Sequence, residues 1–128
     1  MIVRPDRKEQ SVLPNQSEVV KRLSELSRML DAATDEIAAL DDKAVRAKGS
    51  YEVAYAKSFL ESNGSMDVRR QEAILVCADL RLTMEIGEAQ VRAIKERINT
   101  LRSQISIGQS LSAALRQQFS AEGVGQYT

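Results

Sequence analysis

Residues 57–70 read KSFLESNGSMDVRR, and the fold turns on what this stretch does. Asn63 and Gly64 suit the left-handed conformation that ends a helix. Ser65 can cap a following helix, and Asp67 would lie in its first turn, where a negative charge suits the helix dipole. The stretch therefore predicts a turn at 63–66 between two helices, and a chain reversal is its plainest reading. A ligand-binding loop is the rival.

Both flanks support the reversal. On the N-terminal side apolar positions recur at alternating steps of four and three: Val19, Leu23, Leu26, Leu30, Ala33, Ile37, Leu40, Ala44, Ala47, Tyr51 and Ala54. That is a heptad seam, the signature of a coiled coil. Asn15 and Glu18 have the spacing of a capping box, so the helix should begin near 15–18. Residues 1–14, interrupted by Pro5 and Pro14, read as an irregular arm. On the C-terminal side a second seam runs through Ala73, Cys77, Leu80, Met84, Gly87, Val91, Ile94, Ile98, Leu101, Ile105 and Gly108. Gly108 reads as a stop or kink and Ser110 as a new cap. A short amphipathic helix over 109–122 and a frayed tail over 123–128 complete the expectation.

Folded back at the turn, the seams pair in layers. Tyr51 meets Cys77, Ala44 meets Met84, Ile37 meets Val91, Leu30 meets Ile98 and Leu23 meets Ile105. Between them Ala47 meets Leu80, Leu40 meets Gly87, Ala33 meets Ile94, Leu26 meets Leu101 and Val19 meets Gly108. Large residues oppose small ones in most layers of the turn half, which keeps layer volume even. The expected fold is all-α: a long antiparallel helical hairpin over 15–108, plus the short C-terminal helix. Each arm would span about 45 residues, roughly 65 Å at 1.5 Å per residue. Near the turn a second apolar set lies off the seam: Val53, Ala56, Phe59 and Leu60 on the first helix, and Leu75, Leu82, Ile86, Ala89 and Ala93 on the second. A lone hairpin leaves these in water, at about 25 cal/mol per Å². Val53, Leu60, Leu75, Leu82 and Ile86 are therefore the candidate oligomer interface. They point to a four-helix bundle or higher oligomer, with a homodimer favoured.

Composition narrows the function classes. The chain of 128 residues is 43% hydrophobic and 28% charged, with 4% aromatic residues and no Trp. Its formal net charge is +0, so it lacks the basic surplus that general nucleic-acid binding uses. There is no His, the commonest general base and metal ligand. One Cys without His leaves no zinc site of the usual kind, and no Gly-rich phosphate loop is present. The expectation is a non-enzymatic protein with no cofactor and no metal. MIVRPDRKEQ has charge and proline where a signal peptide has an apolar core, and no run reaches membrane-span length. Cytoplasmic placement, without a membrane partner, is the corresponding expectation.

Three constellations are candidate contact sites. Tyr51, Tyr55 and Phe59 recur at i, i+4 and i+8 near the turn, with Arg69 and Arg70 across it and Lys57 close by. Aromatic and basic groups together can stack on bases and hold phosphates, although tip packing with solvated arginines is the plainer reading. Arg92, Lys95 and Arg102 form a basic stripe that could meet DNA, or could be a solvated face with Glu88 and Arg92 as an i, i+4 pair. Leu111, Leu115 and Phe119 could dock a partner, or pack on Val12 and Leu13. Asp35, Glu36, Asp41 and Asp42 cluster without metal-ligand geometry.

The run YEVAYAKSFLESNGSMDVRRQEAILVCADLRL, continued by VRAIKERINTLRSQISIGQSLSAALR, resembles a family of small proteins encoded by tailed bacteriophages, notably those of actinobacteria. GSMDVRR, IKERINTLRSQI and GQSLSAALR are the segments that carry the resemblance, which covers roughly residues 20–120. It implies a gene among the early DNA-metabolism functions, in the host cytoplasm. The implied role is an accessory that modulates phage recombination or replication, or inhibits a host nuclease or defence factor, by contact with a phage or host protein. Nucleic-acid binding and a virion or assembly scaffold are the alternatives. The resemblance brings no catalytic residues.

Overall fold

A computed structural model describes residues 14–126, with side chains as far as residue 121. Among these residues there are three helices and no strand: α1 (Gln16–Glu61), α2 (Met66–Val76) and α3 (Ala78–Gln126). The all-α helical hairpin is therefore present, with α1 packed against α3. Contacts group the chain into two units. Among the described residues the terminal unit joins 14–31 to 99–126, and the turn unit comprises Ala32–Ile98.

The start of α1 is built as its sequence dictates. Glu18 donates its backbone N–H to Asn15 Oδ1 at 2.8 Å, and the Asn15 N–H reaches Glu18 Oε2 at 3.3 Å. This reciprocal pair satisfies two backbone donors that an open helix end would leave free. In the terminal unit the seam is made of large side chains. Val19, Leu26 and Leu101 are buried, and Leu23 and Ile105 are half-buried. The seam then passes Gly108 to buried Ser112 and half-buried Leu115 without a break.

That continuity corrects one expectation. α3 runs on through Gly108 to Gln126, so there is no separate helix over 109–122, and residues 123–126 are helical. Gly108 is a contact glycine: a methyl built there would lie 2.7 Å from Leu23 Cδ2. A glycine that receives a neighbour's side chain leaves the helix intact, since nothing there requires a positive φ. Of the expected arm at 1–14, all but Pro14 lies outside the described residues, and with it the packing of Val12 and Leu13.

The turn occupies 62–65. Gly64 alone takes a positive φ, at 114°; Asn63, expected to share that role, does not. Ser65 caps α2, accepting the Val68 N–H at 3.3 Å, and Asp67 sits in the first turn. Ser62 is buried and donates its hydroxyl to the Ser58 carbonyl at 2.6 Å. Beyond the turn a single residue, Cys77, departs from helical geometry at φ −99°, ψ 11°. The Cys77 N–H still donates to Ala73 O, and Arg81 N–H to Cys77 O. The helical ladder, and hence the phase of the faces, carries across from α2 to α3.

The turn unit has a narrow seam of small residues. Ala33, Ala44, Ala73, Cys77 and Gly87 are buried, alongside Val91, Ile94 and Ile98. A methyl on Gly87 would stand 3.3 Å from Ala44 Cα, so the two backbones lie close. This overturns the predicted register. Gly87 was expected opposite Leu40 and meets Ala44; in the terminal unit Gly108 was expected opposite Val19 and meets Leu23. Each glycine meets α1 one helical turn further on. A heptad seam nearly maps onto itself when shifted by three or four residues, so both registers keep the same residues inside. The large-on-small alternation fails at Gly87, which opposes another small residue. Leu80, assigned to the seam opposite Ala47, is also 38% exposed. Ala47 instead shares a groove with Thr83 and Gly87.

Candidate interaction site

The turn unit gathers most of the residues singled out as contact candidates. Tyr51 and Tyr55 are stacked one turn apart on α1, with ring centroids 6.0 Å apart and planes tilted by 52°. Both are half-buried, as is Phe59. Tilted ring pairs at this distance are favourable packing. Arg69 is half-buried and donates Nε to the Gly64 carbonyl at 3.1 Å. It therefore clasps the turn, and that donor faces the backbone. Arg70 pairs with Asp67 at 3.4 Å in a solvent-exposed contact of small energetic weight. The turn thus works as a structural reversal with its own internal hydrogen bonds.

The basic stripe is divided. Arg92 and Lys95 are exposed in the turn unit, whereas Arg102 is exposed in the terminal unit. Arg92 lines a groove with Asp41, Lys48, Glu88, Ala44, Val45 and Val91. Two acids there offset two bases, so the groove has no net positive field to draw phosphate. The expected Glu88–Arg92 pair is not formed, and Arg81 bonds Glu85 at 3.1 Å instead. Asp42, from the acidic cluster, holds Arg46 at 3.0 Å. Among the described residues no group of three or more acidic, Cys or His side chains is placed to hold a metal ion.

The candidate interface residues stand in solvent: Val53 at 70%, Leu60 at 76%, Leu75 at 77%, Leu82 at 56% and Ile86 at 49%. Four of them divide between two faces, and Ile86 borders a groove that Lys43 and Ala47 of α1 also line. Val53 lies nine residues beyond buried Ala44, a rotation of about 900° at 100° per residue, so it points away from α3. Leu60 follows seven residues later on the same side. Leu82 lies nine residues before buried Val91 and points away from α1 by the same reasoning, and Leu75 continues that side. The two outer faces look in opposite directions, where the sequence pattern alone had them as one interface. Val45, Val68 and Val76 add to the exposed apolar surface. The recurrence of Val68, Leu75 and Leu82 every seven residues is a signal that could have found that edge.

Of the docking residues at the end of α3, Leu111 and Leu115 are half-buried and Phe119 is 75% exposed. Leu111 lines an apolar groove of about 340 Å³ with Val19, Leu23, Leu26 and Ile107 in the terminal unit. That groove was not legible beforehand, because it depends on Gly108 lying against Leu23.

Fold and site together define an antiparallel helical hairpin whose turn unit leaves two apolar helix faces uncovered. No protein-family model matches the chain, and neither a curated protein nor a solved structure shows significant similarity to it. No helix among the described residues is long and apolar enough to cross a membrane.

Proposed function

We propose that this chain is a non-enzymatic helical protein that works through protein–protein contact and associates with copies of itself. The observation that carries this reading is the exposure of Val53, Leu60, Leu75, Leu82 and Ile86 on one short unit. Isolated surface leucines are ordinary; an apolar residue every turn or two along a helix face is a surface that binds. In the setting implied by its resemblance to phage proteins, the assembled hairpin is an accessory in the host cytoplasm. It would modulate phage recombination or replication, or block a host nuclease or defence factor.

The basic groups support nucleic-acid binding less well, since Arg69 is engaged at the turn and the Arg92 groove carries balanced charge. Light scattering on the pure protein, with and without single-stranded DNA, tests the reading. The expected result is a mass above the 14.2 kDa of one chain that DNA leaves unchanged. A monomer at every accessible concentration contradicts it. Salt-sensitive complex formation with DNA would favour the alternative.

A further inference from the structure

The two outer faces of the turn unit carry one pattern with opposite charge. On α1 the face reads Val53, Lys57, Leu60, in steps of four and three; on α2 and α3 it reads Leu75, Asp79, Leu82, in the same steps. All six residues are exposed, and steps of four and three keep them on one stripe of a helix. Among the described residues neither Lys57 nor Asp79 has an ion-pair partner, and Lys57 borders a groove that Glu61 and Glu72 also line without closing a salt bridge to it. Each stripe is therefore an apolar pair bracketing a single unpaired charge, cationic on one face and anionic on the other.

From this we infer that copies of the chain join unlike faces, the α1 face of one copy seating on the α2–α3 face of the next, with Lys57 beside Asp79. The inference rests on the self-association proposed above and specifies its geometry. Laid antiparallel with Lys57 opposite Asp79, the helices bring Val53 toward Leu82 and Leu60 toward Leu75. A two-fold pairing of like faces, centred on the same stripe, sets lysine against lysine or aspartate against aspartate, which opposes association. Because the two faces of one copy look in opposite directions, each joint leaves one face of either kind free. Such head-to-tail contacts close into a ring or continue as a filament; they do not stop at an isologous dimer.

The test uses two full-length variants, each blind on one face: Val53→Arg with Leu60→Arg, and Leu75→Arg with Leu82→Arg. All four positions are exposed, so both variants should keep the helical circular dichroism of the parent. Sedimentation velocity is then run on the parent, on each variant and on their equimolar mixture. The expected result is a parent larger than a dimer, each variant alone a monomer, and a discrete 1:1 heterodimer only on mixing. A variant that dimerises alone, or a mixture that yields no heterodimer while the parent assembles, overturns the unlike-face joint and leaves self-association standing. A parent that is monomeric throughout overturns self-association itself. Lys57→Asp and Asp79→Lys provide an independent check: each alone should weaken assembly, and the two together in one chain should restore it. Failure of the pair to restore it counts against the Lys57–Asp79 contact.

Discussion

The terminal unit and the turn unit are built from the same long helices, yet their seams differ in the size of the side chains that fill them. In the terminal unit the seam itself is built of large residues: Val19, Leu26 and Leu101 are buried along it, while Val20, Ile107 and Phe119 face water. In the turn unit Val91, Ile94 and Ile98 share the seam with Ala33, Ala44, Ala73, Cys77 and Gly87, and Val53, Leu60, Leu75 and Leu82 face water. Small residues let the helices approach closely, as Gly87 and Ala44 do. A close seam of alanine and glycine buries little apolar area, however, and burial scales with area. The turn unit thus has the thinner seam, and it is also the unit that carries the two apolar outer faces.

Substitutions can break or sharpen this contrast. The largest expected effect belongs to the seam of large residues: Leu26→Ala removes a side chain that is 3% exposed and should cost about 2–4 kcal/mol, read from the urea midpoint. The same type of truncation at Leu82, on an outer face, should change the stability of the isolated chain by less than about 0.5 kcal/mol. If the two truncations cost the same, the division into filled seam and open face is wrong. Next comes Gly87→Val, which drives a branched side chain into Ala44. Overpacking of this kind costs about 1–3 kcal/mol, measured by thermal unfolding. Gly64→Ala follows: at φ 114° an alanine is strained, by about 1–2 kcal/mol. The smallest effect has the opposite sign. Nothing lies within 4 Å of a methyl built at Gly49, so Gly49→Ala should stabilise the helix by about 0.5–1 kcal/mol. Gly87 and Gly49 lie in the same unit, and only the first is held to glycine by packing.

Much of the hairpin was legible from residue spacing. The capping box at Asn15, the reversal at Gly64 and the cap at Ser65 each follow from local chemistry that a few residues decide. Register was not legible, since sliding one helix by a turn keeps the seam inside, and only the fit of Gly87 on Ala44 and Gly108 on Leu23 distinguishes the alternatives. Gly108 was misread for a related reason. A glycine late in a helical pattern signals either a stop or a close contact, and the neighbour that decides lies some 85 positions away in sequence. Of the candidate sites, the sequence showed that Val53, Leu60, Leu75, Leu82 and Ile86 lie off the seam. It did not show two opposed faces, which emerge once Ala44 and Val91 are seen to point inward. Nor did it show Arg69 as a clasp on the turn, because its partner is a backbone carbonyl, whose position no side-chain pattern announces.

The contrast between the units is tested most directly by backbone hydrogen exchange at two protein concentrations well separated in the micromolar range. The account predicts that raising the concentration slows exchange in residues 45–60 and 68–89, where the outer faces lie, and leaves residues 16–31 and 99–121 unchanged. Exchange that is independent of concentration throughout, or protection gained only in the terminal unit, would contradict it.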